Sequence, residues 1–187
     1  MAVSENHQLI QDLIGVFYGW GGSSPPPYRT IESAKIPEPY HALLVHDRDM
    51  TSTLEKYYGR KIQLQPDYTC ENDGMLMRRV ALLTHNPHRI VEVGAIRIAM
   101  RRFGPAAADL IRHAQMPLGA VLRECDVRYV SSPCAFFQIA SDELLRRMLN
   151  LTASHHLYGR QNILSDSEGH SLAEVLEILS PMENADG

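Results

Sequence analysis

Two stretches of this sequence each consist of a pair of apolar runs separated by a short polar turn, and that arrangement commits the chain to antiparallel strand pairing. Residues 77–84 (MRRVALLT) and 89–100 (RIVEVGAIRIAM) flank His85-Asn86-Pro87-His88, while residues 157–164 (LYGRQNIL) and 170–179 (HSLAEVLEIL) flank Ser165-Asp166-Ser167-Glu168-Gly169. Asn, Asp, Ser, Pro and Gly reverse a chain within a few residues, so each pair reads as a hairpin. In residues 89–100, Val91, Val93, Ala95 and Ile96 to Ile98 interleave with Glu92 and Arg97. That alternation predicts a half-solvated antiparallel strand.

Outside the hairpins the period changes. Leu9, Ile10, Leu13, Ile14 and Phe17 recur at helical spacing over residues 5–19, with Ser4 available as a cap, and GWGGSSPPPY then stops the helix. Further helices are expected at 105–113, 120–124 and 142–149, and strands at 41–46 and 61–64, with 128–139 partly extended. Within HDRDMTSTLEKYYG a helix is expected over 51–59, with Thr51 or Ser52 at its N-cap and Ser52 with Glu55 as a capping box. Its first amides lack partners inside the helix, so the stretch from Met50 to Thr53 offers donors to an anion. Hairpins with helices inserted between them give an α+β class, a single antiparallel sheet flanked by helices. No internal repeat is present.

A chain of 187 residues that is 44% hydrophobic suits one domain, with an N-terminal helix and Pro/Gly-rich loop at 1–40 and a core at 41–181. A net charge of -4 and a pI near 6.1 give no general attraction to nucleic acid or anionic membranes. The clusters Arg78-Arg79, Arg101-Arg102 and Arg146-Arg147 read as solvated faces. Cys70, Cys125 and Cys134 are odd in number and lack CxxC spacing, which fits a reduced cytosolic protein better than a disulfide framework or a zinc site. The N-terminus lacks an export signal, and no apolar run approaches the length of a membrane span. His85-x-x-His88 lies in a turn and His155-His156 point to opposite faces if extended, so no metal is expected. Covalent catalysis has no local signature such as G-x-S-x-G.

Charges inside apolar strands are more informative. Alternation sets Arg79 beside Ala81 and Leu83, and Glu177 beside Ala173, Val175 and Leu179, with Glu174 as a rival on the other face. An inward-facing charge needs a partner, because an unpaired buried charge costs several kcal/mol. A structural Arg–Glu pair and a ligand site explain the pattern equally well.

Four blocks, DRDMTSTLEKYYGRKI, RRVALL, MPLGAVL, and LYGRQNIL with GHSLAEVLEILSP, occur in an order that resembles the bacterial chorismate pyruvate-lyases (4-hydroxybenzoate synthases) and their lyase-like relatives, over residues 41–181. The resemblance implies an antiparallel sheet flanked by helices around an internal, water-poor cavity. It implies that Arg79 and the backbone amides near Met50, Thr51, Leu118 and Gly119 hold a ring carboxylate, and that Glu177 meets the ring hydroxyl. Arg78 is the alternative to Arg79, since a shift of one residue in a strand reverses the face. The implied activity is elimination of pyruvate from chorismate to give 4-hydroxybenzoate, with catalytic roles for Glu177 and Arg79, no cofactor, and a small cyclic or aromatic carboxylate as partner. The strand holding Glu92 and Arg97 is more charged than its counterpart in the family. The effector-binding UTRA domains of GntR-type regulators share this general fold, so a carboxylate-binding module without catalysis is the competing expectation, as is a lyase acting on another carboxylated ring. Such regulators carry an N-terminal winged helix-turn-helix, for which residues 1–40 look too short. Tyr18, Trp20 and Tyr28 are a candidate contact surface, and the oligomeric state is open.

Overall fold

The computed structural model describes residues 2–20, 22 and 24–182, with side chains from residue 10 onward. Helix α1 (Ala2–Tyr18) leads into strand β1 (Tyr28–Ile31), a short 3-10 turn, and helices α2 (Tyr40–Leu44) and α3 (Met50–Tyr58). Strands β2 (Ile62–Asn72), β3 (Met75–Thr84) and β4 (Ile90–Ala99) follow, then helices α4 (Pro105–His113) and α5 (Leu118–Glu124). Strand β5 (Val130–Ala140), helix α6 (Glu143–Leu149) and strands β6 (His156–Ser165) and β7 (Ser171–Leu179) complete the chain. All strands join one antiparallel sheet in the order β1-β5-β6-β7-β4-β3-β2. Both expected hairpins form, β3–β4 and β6–β7, and β4 and β7 pair in the middle of the sheet. Among the described residues no helix is long and apolar enough to cross a membrane.

Helices cover both faces of the sheet. On one, Leu13, Ile14 and Phe17 of α1 and Leu145 of α6 pack on Val93, Ala95, Leu176 and Ile178. On the other, α2 and α3 bring Leu44, Met50 and Leu54 onto Leu82 and Leu179, while α4 and α5 bring Ile111 and Leu122 onto Ile96, Ile98 and Ala173. Coverage on both sides corrects the half-solvated reading of β4, in which Val91 to Ile96 are all buried whichever way they point. Glu92 is only 3% exposed. Arg78 and Arg79 are buried as well, not part of a solvated face.

Four local expectations are corrected. Residues 41–46 are not a strand: Glu38 accepts from the Ala42 amide at 3.2 Å, Pro37 O accepts from the His41 amide at 3.0 Å, and the run turns into α2, burying Leu43 and Leu44. Five residues are too few for either period to declare itself. Helix α3 is capped by Asp49, whose side chain accepts from the Ser52 amide at 2.8 Å, instead of by Thr51 or Ser52. The expected Ser52–Glu55 box is replaced by contacts of Glu55 with Arg123 and Lys61. Helix α1 begins before Ser4, which removes it from the cap, and the side chain of Leu9 lies outside the described residues. Of the aromatics near the GWGG loop, Tyr18 is buried, while part-exposed Trp20 stacks on exposed Tyr68 at 4.5 Å and part-exposed Tyr28 meets the edge of Phe137.

Candidate functional site

The cavity lies between the middle of the sheet and the starts of α3 and α5. Strand alternation decides what faces it: Arg78, Val80 and Leu82 from β3, Glu92, Gly94 and Ile96 from β4, Val175 and Glu177 from β7, and Asn162 from β6. Asp49, Met50 and Thr51 close one side, and Pro117, Leu118 and Gly119 another. The two helix starts touch. A side-chain carbon on Gly119 would run into the Asp49 carboxylate and the Thr51 hydroxyl, so the second helix can begin this close to the first only with glycine there.

Of the residues expected at the site, Met50, Thr51, Leu118, Gly119 and Glu177 line this one cavity. Arg79 does not. It points to the opposite face, where Nε donates to Asp67 at 2.6 Å, Nη1 donates to Phe17 O at 2.7 Å, and the guanidinium lies over the Phe17 ring. The alternation rule had Arg79 beside Ala81 correctly. With helices on both faces, though, an apolar side is no guide to which one holds a cavity. Arg78 takes the cavity side, 3% exposed, donating from Nε to Thr69 Oγ1 at 3.1 Å and from Nη2 to Ile111 O at 2.8 Å. Among the described residues no carboxylate pairs with it, and burial lowers its pKa. Glu174 is also off the site, paired across the strands with Arg97 at 3.0 Å.

The far end of the cavity is organised by Arg160, which is fully buried. Its Nε donates to Glu177 Oε2, Nη1 to Leu44 O and His46 O at 3.0 Å each, and Nη2 to Arg48 O at 3.1 Å. One side chain therefore holds the carbonyls of the HDR segment and fixes where α3 begins. His46 sits against it with Nε2 2.7 Å from Leu43 O, leaving Nδ1 to accept from the Arg48 amide at 3.1 Å. Burial, then the Arg160 charge, push the His46 pKa down to about 4, so the ring is neutral. Burial also raises the Glu177 pKa, against the opposing pull of Arg160. Glu92 is raised further, by burial first and then by the charge of Glu177, and its Oε2 has no hydrogen-bond partner.

Arg160 and Glu92 were missed in the sequence. Both are charges inside apolar strands, the same criterion that singled out Arg79 and Glu177, and it holds for them equally. Of the histidine pairs set aside as ligands, His85 and His88 have ring centroids 6.0 Å apart in the β3–β4 turn. Asp166, Glu168 and His170 cluster in the β6–β7 turn, where Asp166 accepts the Glu168 and His170 amides and organises the reversal.

No family model and no curated protein matches the chain. Solved structures do. The effector domain of PhnF from Mycobacterium smegmatis superposes with a TM-score of 0.53 at 12% identity, covering 71% of this chain and 88% of that one. PhnF from the same organism gives 0.51 at 12% identity, over 94% of this chain and 93% of its own. Gene product SA0254 from Staphylococcus aureus gives 0.50 at 7% identity, over 73% and 90%. At these identities the likeness is one of fold, the chorismate lyase-like α+β fold that UTRA effector domains share.

Proposed function

We propose that this chain is a ligand-binding domain for a small carboxylated ring compound, held in the cavity between β3, β4, β7 and the starts of α3 and α5. The observation that carries the reading is Arg78: a buried guanidinium at the wall of a largely apolar cavity, without a carboxylate partner among the described residues. A buried charge is costly unless paired, and a bound carboxylate is the natural partner, accepted by the planar guanidinium in charge-assisted hydrogen bonds. In this reading Arg78 takes the role first expected of Arg79, and the amides at Met50 and Leu118 assist it. The likeness in fold to the effector domain of PhnF supports binding of a small molecule over catalysis. Isothermal titration with benzoate tests it: a saturable binding heat with the native protein and a strongly weakened one with a folded Arg78→Met variant are expected. Equal binding by both would overturn the anion site.

A second reading keeps the same site and adds chemistry. It is favoured by two buried carboxyl groups, Glu177 and Glu92, facing the cavity with Arg78. If the ring compound is chorismate, Arg78 fixes its carboxylate, the ring carbon–oxygen bond breaks so that the oxygen leaves with the enolpyruvyl group, and the hydrogen on the adjacent ring carbon leaves as a proton that the departing enolpyruvate takes up, making the ring aromatic. Products are pyruvate and 4-hydroxybenzoate. Glu177 would orient the ring hydroxyl or carry the proton, and positioning would supply most of the acceleration. Incubation with chorismate, following 4-hydroxybenzoate by ultraviolet absorbance and pyruvate by a coupled dehydrogenase, separates the readings. Equimolar products mean a lyase; binding without turnover means a receptor.

A further inference from the structure

Glu92 takes no part in the carboxylate site built on Arg78. It lies on β4 opposite Leu82, faces the cavity, is 3% exposed, and keeps one carboxyl oxygen without a partner. Its neighbours cannot satisfy it. Every nitrogen of Arg160 is already engaged, by Glu177 and by the carbonyls of Leu44, His46 and Arg48. Asn162 exchanges its amide with Ser131 at 3.0 and 3.2 Å. The Arg160 charge is therefore balanced by Glu177, and a second carboxylate beside that pair would be left without a charge partner of its own in an apolar enclosure. Burial and the adjacent Glu177 charge both favour the protonated form of Glu92. A protonated carboxyl has an O–H to give.

We infer that Glu92 is a specificity-determining residue, donating its proton in a hydrogen bond to a neutral oxygen on the end of the ligand remote from Arg78. The inference rests on the ring-carboxylate reading above and extends it by naming the ligand's other end. Arg78 pairs with Ile96 across β3–β4, four residues along β4 from Glu92, so the two anchors stand roughly 13 Å apart at the backbone. Their side chains reach into the space between. The ligand that fits has a carboxylate at one end, an apolar body along the Val80, Ile96 and Val175 walls, and a hydroxyl or carbonyl oxygen at the other.

The test uses two probes of matched size, 4-hydroxybenzoate and 4-methylbenzoate, with benzoate as reference, titrated into native protein, Glu92→Gln and Glu92→Leu. Native protein is expected to prefer the hydroxyl over the methyl compound by about tenfold, the scale of one buried hydrogen bond. Glu92→Gln, whose amide still donates, should keep the preference, and Glu92→Leu should lose it and bind the hydroxyl and methyl compounds equally. A preference that survives in Glu92→Leu would assign it to Glu177 alone and overturn the inference, while leaving the anion site intact. Failure of native protein to bind benzoate would instead remove the ring-carboxylate reading and this inference together.

Discussion

Arg78 and Arg79 are neighbours on one strand, equally buried, and opposite in what surrounds them. Arg79 has its charge paired: a carboxylate, a carbonyl and an aromatic face meet its guanidinium. Arg78 donates to a hydroxyl and to two carbonyls, has no carboxylate among the described residues, and borders the cavity. The contrast is repeated across the cavity, where Arg160 is saturated and Glu92 keeps an oxygen unused. Burial alone does not distinguish scaffold from site; whether a buried charge has its partners within the chain does. Arg79 and Arg160 hold the architecture, and Arg78 and Glu92 are left for a ligand.

The largest effect expected from this division falls on Arg160. Arg160→Met leaves Glu177 buried without its cation and strips donors from Leu44, His46 and Arg48, so stability should drop by about 3–5 kcal/mol in denaturant titration. A drop below 1 kcal/mol would mean that the HDR segment is held by something else. Next come the β3 neighbours. Arg78→Met should weaken benzoate binding about 100-fold with little loss of stability. Arg79→Met should leave affinity alone and cost about 2–3 kcal/mol in the same titration, less than a fully buried pair because Asp67 is 42% exposed. If the two variants exchange phenotypes, the comparison is reversed.

Asp49 stands where architecture and site meet. Its carboxylate caps α3 through the Ser52 amide, accepts from Tyr129 Oη at 2.9 Å, and lies against Gly119. Asp49→Ala should cost about 1–2 kcal/mol as a lost cap, and Thr51→Ala less, the reverse of what the sequence suggests. Thermal melts of the two variants rank them directly.

How much of this was legible can be followed through those residues. The hairpins, α4 and α6 were legible because each has a strong period and an unambiguous stop: Pro105 opens α4, Asp142 caps α6, and Gly169 turns β6 into β7. The blocks 50–51 and 118–119 and Glu177 were legible together only through a resemblance, since nothing in their spacing says that α3, α5 and β7 meet. What failed was the assignment of faces. Period-two alternation separates Arg78 from Arg79 with certainty, yet it cannot say which side has the cavity when α1 and α6 cover one face and α2 to α5 the other. Strand β1 and the length of β2 were missed because their residues are largely exposed, with polar side chains and a proline in β2.

The smallest effect sharpens the comparison most, because the two ends of one charge network should respond to pH with opposite signs. His46, held neutral with its pKa lowered to about 4, is stabilising above its unfolded value near 6.5, and that contribution is lost as the pH falls toward 4. Glu92 is raised, so its protonated form is favoured by folding; its contribution is fully present below the unfolded value near 4.5 and is lost as the pH rises through the folded one. Between pH 4.5 and 6.5 the slope from His46 opposes the slopes from the two raised carboxyls, Glu92 and Glu177. His46→Gln should remove the rising component, tilting the variant's profile downward with pH relative to native protein by about 1 kcal/mol, a figure discounted for the partial exposure of the ring. Glu92→Gln should do the reverse, removing one falling component and tilting the profile upward with pH relative to native protein, and should be more stable than native protein at pH 7, where the native carboxyl must take up a proton to stay buried. Denaturant titrations at pH 5 and 7 read both slopes. Parallel profiles in the three proteins would show that Glu92 finds a charge partner or water that relieves it, and with that the distinction between a satisfied and an unsatisfied end of the cavity would be lost.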